Sequence, residues 1–347
     1  MKKILFAAVA VMAMAACSNE DVISRPALPM IGFDTFVENS TRANDLKKGD
    51  FDFGVYGLVE KGEQSALIFD NQKVNADGSY GPAQYWIAAA QYYFTAIAPY
   101  TDAKWSYATD TAHTGKITFD NSAAAANQDL IFAYNKPAQT PTAITAQPAK
   151  VGFTFNHMLS RVRFTFTNGF GEGSNIKLEV YDVTITDAYA TAELAVADGT
   201  PATNWTKFGG TFSKNFGKVG GNTLATLVDA VTVDGETTSA STEHFYLIPA
   251  NKAYNVNFKV DLYQAGVKLD TYERTATIPA IPDTGMQKGK SYDIKTTLTA
   301  QNTSDDGQLW PIEFTVDAVT GWTDPATDVT GTVNQPTTGG NQGTENN

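Results

Sequence analysis

The segment VGFTFNHMLSRVRFTFTN, residues 151–168, contains the change of pattern that decides the architecture. Its apolar residues fall on odd positions in the first half and on even positions in the second half: Val151, Phe153 and Phe155, then Val162, Phe164 and Phe166. Because successive side chains of a strand point to opposite faces, one continuous strand cannot keep both sets on the same face. We therefore predict a break at about residues 157–162 and place a boundary between two domains there.

Alternating apolar runs of this kind recur on both sides of the break, and turn residues separate them. The most regular run is YNVNFKVDLY, residues 254–263, in which every second residue is apolar or aromatic. Many short strands with frequent turns and no helical periodicity are typical of antiparallel β-sandwiches. The 347 residues supply enough chain for two domains of ordinary size. We predict an all-β protein with an N-terminal sandwich at residues 43–158 and a C-terminal sandwich at residues 159–323.

The composition excludes nucleic acid as a partner. The net charge is −12, charged residues make up only 18% of the chain, and no basic stripe offsets the negative surface. Such a surface repels the phosphate backbone. Because the chain has a single cysteine, no disulfide forms within it, and the fold must depend on burial and on sheet hydrogen bonds. The sequence turns polar near its end, and we expect residues 324–347 to form a flexible tail.

The N-terminus, MKKILFAAVAVMAMAAC, has the pattern of a secretory signal peptide. Two lysines precede an apolar run that is shorter than the roughly 20 residues of a membrane-spanning helix. Cys17, the only cysteine, directly follows two alanines and resembles the lipid-attachment cysteine of bacterial lipoproteins. In such proteins the thiol takes a diacylglycerol and the chain is cut before it, so residues 1–16 would be removed here. The alternative is an ordinary signal peptide with a chance cysteine.

Residues 17–42 form a leader that contains a predicted strand. The apolar residues that define one face of its IGFDTFV segment are Ile31, Phe33 and Val37. A polar segment follows, and its Arg42 is one of only five arginines in the chain. The bond between Arg42 and Ala43 is therefore a candidate cleavage site for an arginine-specific protease, because exposed polar segments are preferred sites of proteolysis. The alternative is an N-terminal strand followed by an ordinary turn.

Short motifs in a fixed order make the chain resemble the fimbrillins, the pilin subunits of the type V pili of Bacteroidales bacteria. Besides the segment around Cys17, the matching motifs are IGFDTFVENSTRA, VYGLV, QYWIAAAQYYFTAIAPY, DLIFAY, VGFTFNHMLSRVRF, LIPA, KGKSYDIKTTL and IEFTVDAVTGW. Each motif alone is a weak pattern, but the ordered set runs through most of residues 1–322. The resemblance implies that both sandwiches are transthyretin-like.

The resemblance also implies an assembly mechanism. The precursor would be a lipoprotein of the outer membrane, and an arginine-specific protease would remove its leader after Arg42. Loss of the leader strand would leave an apolar groove with an unpaired backbone edge, which is a template for strand addition. The C-terminal strand of another pilin subunit would fill the groove, and open-ended joints of this kind give a filament, here a cell-surface fimbria that supports adhesion to a host or bacterial receptor. The predicted donor residues, within WPIEFTVDAVTGW, are Ile312, Phe314, Val316 and Trp322.

No set of residues in the sequence points to catalysis. The three histidines have no partner at metal-ligand spacing, and His157 fits a structural role at the break. No serine lies in a Gly-x-Ser-x-Gly frame, and Cys17 is assigned to lipid. We therefore expect no enzymatic activity, cofactor or metal. The alternative function is a monomeric outer-membrane lipoprotein that binds glycans by stacking sugars on tryptophans, of which the chain has five: Trp86, Trp105, Trp205, Trp310 and Trp322.

Overall fold

The fold was obtained as a computed structural model. The structure describes residues 29–37, 51–100, 103–107, 114–122, 128–171, 174–220, 226–227, 239–281, 285–303, 312 and 314–319. These residues form strands and turns and contain no helix, which confirms the all-β class. Within these ranges no helix exists that could cross a membrane.

The strands follow one another along the chain with the following bounds: β1 (Phe33–Val37), β2 (Phe53–Lys61), β3 (Gln64–Val74), β4 (Gln91–Ala98), β5 (Ala103–Tyr107), β6 (Gly115–Asp120), β7 (Ile131–Asn135), β8 (Val151–His157), β9 (Ser160–Asn168), β10 (Ile176–Ala197), β11 (Thr200–Pro201), β12 (Thr206–Asn215), β13 (Thr226–Leu227), β14 (Ser239–Ser241), β15 (Phe245–Leu247), β16 (Tyr254–Gln264), β17 (Val267–Ile278), β18 (Ser291–Leu298) and β19 (Thr315–Val319).

These strands pair into three sheets. The first has the order β1-β8-β7-β4-β2-β3. The second has the order β17-β16-β10-β6-β5, with β11, β12 and β13 also paired to β10. The third has the order β14-β9-β18-β19, and β15 also pairs with β9. The third sheet packs on the β10–β16 part of the second to form the C-terminal sandwich, and the first packs on the β6–β10 part to form the N-terminal sandwich.

The first sheet is buried on both faces. Phe94 and Phe153 belong to a cluster on one face, where the chain that connects the strands covers the sheet. Phe132 belongs to a second cluster on the opposite face, together with Phe119 of β6 and Leu194 of β10. Burial on both faces explains why β2 and β4 are almost continuously apolar instead of strictly alternating.

The break predicted from the change of parity is confirmed. β8 ends at His157 in the first sheet, and β9 begins at Ser160 in the third sheet. Between them Met158 and Leu159 are buried at the junction of the two sandwiches. The indole Nε1 of Trp205 donates a hydrogen bond of 2.8 Å to the Met158 carbonyl, so the turn that redirects the chain is itself part of the core.

The long strand β10 joins the two halves of the molecule. Its N-terminal part pairs with β16, and residues 191–196 pair with β6. A bulge at Asp182, whose φ is +54°, shifts the register and reverses the parity of the strand, so that Val180 and Val183 are both buried. Because strand pairing crosses from one half to the other, the boundary at residues 158–159 stays a prediction.

Two strand pairs are parallel, although the sequence predicted antiparallel sheets. β1 runs parallel to β8, and β9 runs parallel to β18. Parallel neighbours need a long crossover connection, and here each pair joins two strands that lie far apart in the sequence. Local alternation predicts the faces of these strands but carries no information on the direction of a distant partner.

Candidate functional site

Among the described strands β1 lies at the edge of the first sheet, and β8 is its neighbour there. The two strands are joined by residue pairs along the full length of β1, beginning with Phe33 opposite Val151. On the other side of β8, β7 pairs only with its last two residues, Asn156 and His157. Most of β8 therefore has β1 as its partner in the ladder.

The apolar side chains of the leader strand lie in the core. Ile31 is 0% exposed and Phe33 is 2% exposed, whereas Asp34, on the opposite face of the strand, is exposed to solvent. The Phe33 ring is surrounded by four aromatic rings at centroid distances of 5.4 to 5.9 Å, namely Phe69, Tyr80, Phe94 and Phe153. Burial of two such side chains stabilises the strand in its place by about 3–6 kcal/mol, at about 1.5–3 kcal/mol each.

Hydrogen bonds also fasten the leader backbone. The Tyr80 hydroxyl donates to the Ile31 carbonyl at 2.6 Å, and the Ile31 amide donates to the Gln84 carbonyl at 2.9 Å. Burial raises the pKa of the Tyr80 hydroxyl, so this group keeps its proton and remains a donor at neutral pH. On the opposite side the Val151 amide donates to the Gly32 carbonyl at 2.7 Å. The leader thus has both side-chain and backbone partners.

We call this place the leader groove: the β8 edge together with the rings of Phe69, Tyr80, Phe94 and Phe153. Without β1 it would present the unpaired amides of β8 beside an open apolar pocket. Such a groove binds an extended segment with alternate apolar side chains, because the backbone ladder supplies affinity and the pockets supply specificity.

The predicted donor segment lies at an edge of the third sheet. β19 pairs antiparallel with β18, from Thr315 opposite Lys295 onward. Within the predicted segment WPIEFTVDAVTGW, β19 comprises Thr315–Val319. Ile312 and Phe314 precede this strand. Both side chains are nevertheless buried.

Phe314 is slightly more exposed than Phe33. Its exposure is 6%, and among the described residues three rings lie near it at centroid distances of 5.9 to 6.4 Å, namely Phe164, Phe166 and Phe258. Ile312 is 9% exposed. The donor segment therefore has a home site in its own C-terminal sandwich.

β18 has supports other than β19. It pairs in parallel with β9 over its full length, and the Asp293 carboxylate contacts two side chains of β9. Asp293 Oδ2 lies 2.8 Å from Arg163 Nη2, and Asp293 Oδ1 accepts a hydrogen bond of 2.6 Å from the Thr165 hydroxyl. β9 and β18 are therefore held together by contacts that do not involve β19.

Several predicted site residues lie outside the described residues: Cys17, Arg42, Ala43 and Trp322. Val37 and Val316 lie in β1 and β19 as expected, although only their backbone positions are described. The predictions of lipid attachment at Cys17 and of cleavage between Arg42 and Ala43 stay predictions.

The tryptophan platform proposed for sugars is wrong for two of the five tryptophans. Trp86 and Trp205 are both buried. Trp86 belongs to the core cluster on one face of the first sheet, and Trp205 belongs to the cluster on the opposite face. His157 is buried as well, and its Nδ1 lies 2.7 Å from Asp129 Oδ2, as expected for a structural histidine. Among the described residues no group of three or more histidine, cysteine and acidic side chains is arranged to hold a metal ion.

Sequence reasoning missed Tyr80 and Phe69, which form part of the leader groove. Tyr80 lies in a connection between β3 and β4, and no periodicity marks a loop residue as a core residue. The short segment SYGP, residues 79–82, was the available signal, since an aromatic residue within a turn-rich stretch often anchors that stretch to a core.

Comparisons with known proteins place the chain in a family. A model of the fimbrillin-like family matches residues 41–316. A solved fimbrial protein from Bacteroides vulgatus is similar, with a TM-score of 0.58 and 16% identity over 85% of this chain and 100% of that chain. At this identity the likeness shows the fold.

Two candidate cell-adhesion proteins also match, one from Bacteroides ovatus and one from Bacteroides uniformis. The first has a TM-score of 0.43 and 14% identity over 84% of this chain and 96% of that chain. The second has a TM-score of 0.43 and 16% identity over 85% of this chain and 98% of that chain. A search of curated proteins found no match. Because the family model covers most of the sequence, the chain belongs to the fimbrillin-like family and is a fimbrial protein of the cell surface.

Proposed function

We propose that the protein is a structural subunit of a surface fimbria and that it polymerises by donor-strand exchange after removal of its leader. The observation that supports this most strongly is β1. It lies at the edge of the described sheet, its Phe33 and the preceding Ile31 are buried, and it pairs with β8 along its full length. A strand in this position contributes side chains to the core, yet it can leave the sheet without separating two other strands.

Removal of the leader would create the driving force for assembly. The groove would lose two buried side chains, worth about 3–6 kcal/mol together, and the ladder along β8. The terminal strand of another subunit would restore both, and the gain in burial must exceed the cost of ordering that strand. Each joined subunit would still carry its own terminal strand, so the chain of subunits would continue to grow.

The positions of the arginines favour Arg42 as the cleavage site. Arg161 and Arg163 lie within β9 and Arg274 lies within β17, where strand pairing protects the backbone from a protease. Two arginines remain, and Arg25 precedes β1, so that cleavage after it leaves β1 attached. Only cleavage after Arg42 releases the whole leader strand.

The proposal includes export as a lipoprotein. Acylated Cys17 would hold the precursor at the outer membrane, and the same cleavage after Arg42 would separate the subunit from its lipid anchor. The partners would then be an arginine-specific protease, other pilin subunits and a receptor on a host or bacterial surface.

Treatment of purified precursor with an arginine-specific protease tests this proposal. We expect a product that begins at Ala43, filaments in electron micrographs and heat-resistant ladders on gels. Arg42→Ala is expected to abolish all three, and the matched control Arg25→Ala is expected to leave them unchanged. A precursor that is cut after Arg42 and stays monomeric would contradict the proposal.

A second candidate function, glycan binding, has one observation in its favour. The rings of Tyr189 and Phe208 are stacked at a centroid distance of 4.4 Å, and Phe208 is 37% exposed. Lys252 Nζ lies over the Tyr189 ring, 4.7 Å from its centroid, and adds a polar group beside the stacked pair. Exposed aromatic faces of this kind bind sugar rings. Retention on a polysaccharide column that is lost in Phe208→Ala would support this function, and retention that is unchanged would count against this surface.

A further inference from the structure

A cleft with a volume of about 620 Å³ lies where the two sandwiches meet, on the face of the first sheet that is opposite the leader groove. Its floor is formed by β7 and β8 and includes Tyr134, Thr154 and Asn156. Its walls are the turn between β10 and β11, at residues 198–201, and the loop before β18, at residues 288–289. Small-molecule sites commonly have this size and lie between domains.

The turn between β10 and β11 is held against the floor of the cleft. Ala197 pairs with Thr200 across the turn, and the φ angles of Asp198 and Gly199 are +47° and +73°. Two successive positive φ angles are typical of a tight two-residue hairpin. A Cβ added at Gly199 would overlap the Tyr134 ring, so the backbone of the turn lies directly on that ring. The turn therefore fixes Asp198 beside the aromatic part of the floor.

The loop on the other side of the cleft is also anchored. The Ser160 hydroxyl donates to the Gln287 carbonyl at 2.8 Å, and the Gly289 amide donates to the Leu159 carbonyl at 2.8 Å. Lys288 lies between these two anchors. Because both hydrogen bonds join the loop to the junction between β8 and β9, the backbone that carries Lys288 is fixed relative to the floor, and the cleft exists before any ligand binds.

Lys288 supplies a positive charge to the cleft. Its side chain is partly buried, and burial lowers the pKa of its ammonium group. Asp198 lines the same cleft, yet within the part of the chain that the structure describes no acidic side chain forms an ion pair with Lys288. An ammonium group that has lost part of its hydration and has no acidic partner is stabilised by an anion.

The floor offers hydrogen-bonding groups. Thr154 and Asn156 are exposed and lie on the face of β8 opposite Phe153 and Phe155. Asn156 Nδ2 donates to the Thr154 carbonyl at 3.4 Å, and the two side chains form no other hydrogen bond with the described residues. Burial raises the pKa of the Tyr134 hydroxyl to about 12, so this group keeps its proton at neutral pH. A hydroxyl-rich ligand therefore finds both donors and acceptors here.

We propose that this cleft binds a sugar that carries a carboxylate, the class of uronic and sialic acids. The sugar carboxylate contacts Lys288, and the sugar hydroxyls bond to Asp198, Thr154 and Asn156 beside the ring of Tyr134. The inference goes beyond the fimbrial role and does not require strand exchange, because the leader groove lies on the other face of β8.

Other ligand classes fit the lining less well. A phosphate group brings up to about two negative charges, and the lining has one lysine together with the carboxylate of Asp198. A neutral sugar leaves Lys288 without an anion. An apolar ligand would cover the hydroxyl of Thr154 and the amide of Asn156 without bonding to them, which costs free energy. A single carboxylate on a hydroxylated ring satisfies all of these groups.

Calorimetric titration of the purified precursor with glucuronic acid and with N-acetylneuraminic acid tests the proposal. Glucose and N-acetylglucosamine are the neutral probes, and acetate and inorganic phosphate are the probes for a simple anion site. Lys288→Gln should weaken binding of the acidic sugars by about 10-fold or more, because a charge-assisted hydrogen bond is lost. The matched control is Lys290→Gln, in the same loop and outside the lining, and it should leave the affinity unchanged.

A second variant tests the place of binding independently of charge. Thr154→Trp puts a large ring into the cleft from an exposed position and should abolish binding, while thermal unfolding shows that the variant is folded. Phe208→Ala should leave binding of the acidic sugars unchanged, because Phe208 lies outside this cleft. This variant separates the cleft from the exposed pair of Tyr189 and Phe208.

Each outcome decides for or against the cleft. Binding of an acidic sugar that is lost in Lys288→Gln and in Thr154→Trp, and kept in Lys290→Gln, would support the proposal. Equal affinity for glucose and glucuronic acid, or equal affinity in Lys288→Gln, would overturn the role of Lys288. Acetate or phosphate that binds as tightly as the acidic sugars would show an anion site without sugar recognition. No binding at millimolar concentration would overturn the proposal, and the fimbrial function would stand in every one of these cases.

Discussion

Truncation of Phe33 to alanine should destabilise the precursor and leave the cleaved subunit unchanged, because cleavage after Arg42 removes the leader strand. The side chain is 2% exposed and contacts four aromatic rings. Removing a phenylalanine from such a site costs about 3–5 kcal/mol, since the lost burial and the remaining cavity both count. We expect the free energy of unfolding of the N-terminal sandwich in the precursor to fall by that amount.

Denaturant unfolding followed by tryptophan fluorescence measures this loss, because buried Trp86 lies 6.1 Å from Phe94, which in turn contacts Phe33. Asp34→Asn is the matched control on the exposed face of the same strand, and we expect its effect to stay within about 0.5 kcal/mol. Cleavage after Arg42 removes residue 33, so filaments of the cleaved variant should grow at the wild-type rate.

A loss of less than about 1 kcal/mol in the precursor would be far below the range for a buried aromatic side chain, and it would refute β1 as part of the core. A cleaved variant that polymerises differently from the wild type would refute complete removal of the leader.

Three further results are expected. Cys17→Ser should move the precursor from the membrane fraction to the soluble fraction, and an unchanged fractionation would contradict lipid attachment. Arg42→Ala, expressed in cells that contain the protease, should accumulate as a folded and unassembled precursor; filaments from this variant would contradict leader removal as the trigger. Deletion of residues 312–347 should give a chain that accepts a donor strand but offers none, and that shortens wild-type filaments when added in small amounts. If it leaves filament length unchanged and still polymerises alone, the donor lies elsewhere in the chain.

The sequence predicted those features that a local period encodes. The parity change between Phe155 and Val162 predicted the break that the structure places after His157. The alternation through Ile31 and Phe33 predicted the buried face of the leader strand. Both succeed because a period of two residues fixes the face of every side chain in a strand.

Features that depend on distant partners could not be predicted in this way. The parallel direction of β1 on β8 and the contribution of β10 to both sandwiches are set by packing between remote segments. Tyr80 closes the leader groove from a loop, where no alternation exists. The prediction of a sugar platform was wrong for Trp86 and Trp205 for a related reason. A large aromatic side chain can lie on the surface or in the core, and the sequence does not tell which.

Hydrogen exchange at the amides of β8 tests the central claim most directly, because the Val151 amide donates to Gly32 of the leader and the ladder continues along β1. Three states should be compared: the precursor, the cleaved chain that lacks residues 312–347, and the filament. We predict slow exchange in the precursor, fast exchange in the cleaved and truncated monomer, and slow exchange again in the filament. Equal protection of these amides in all three states would contradict the account, since the groove would then neither open when the leader leaves nor close when a donor strand enters.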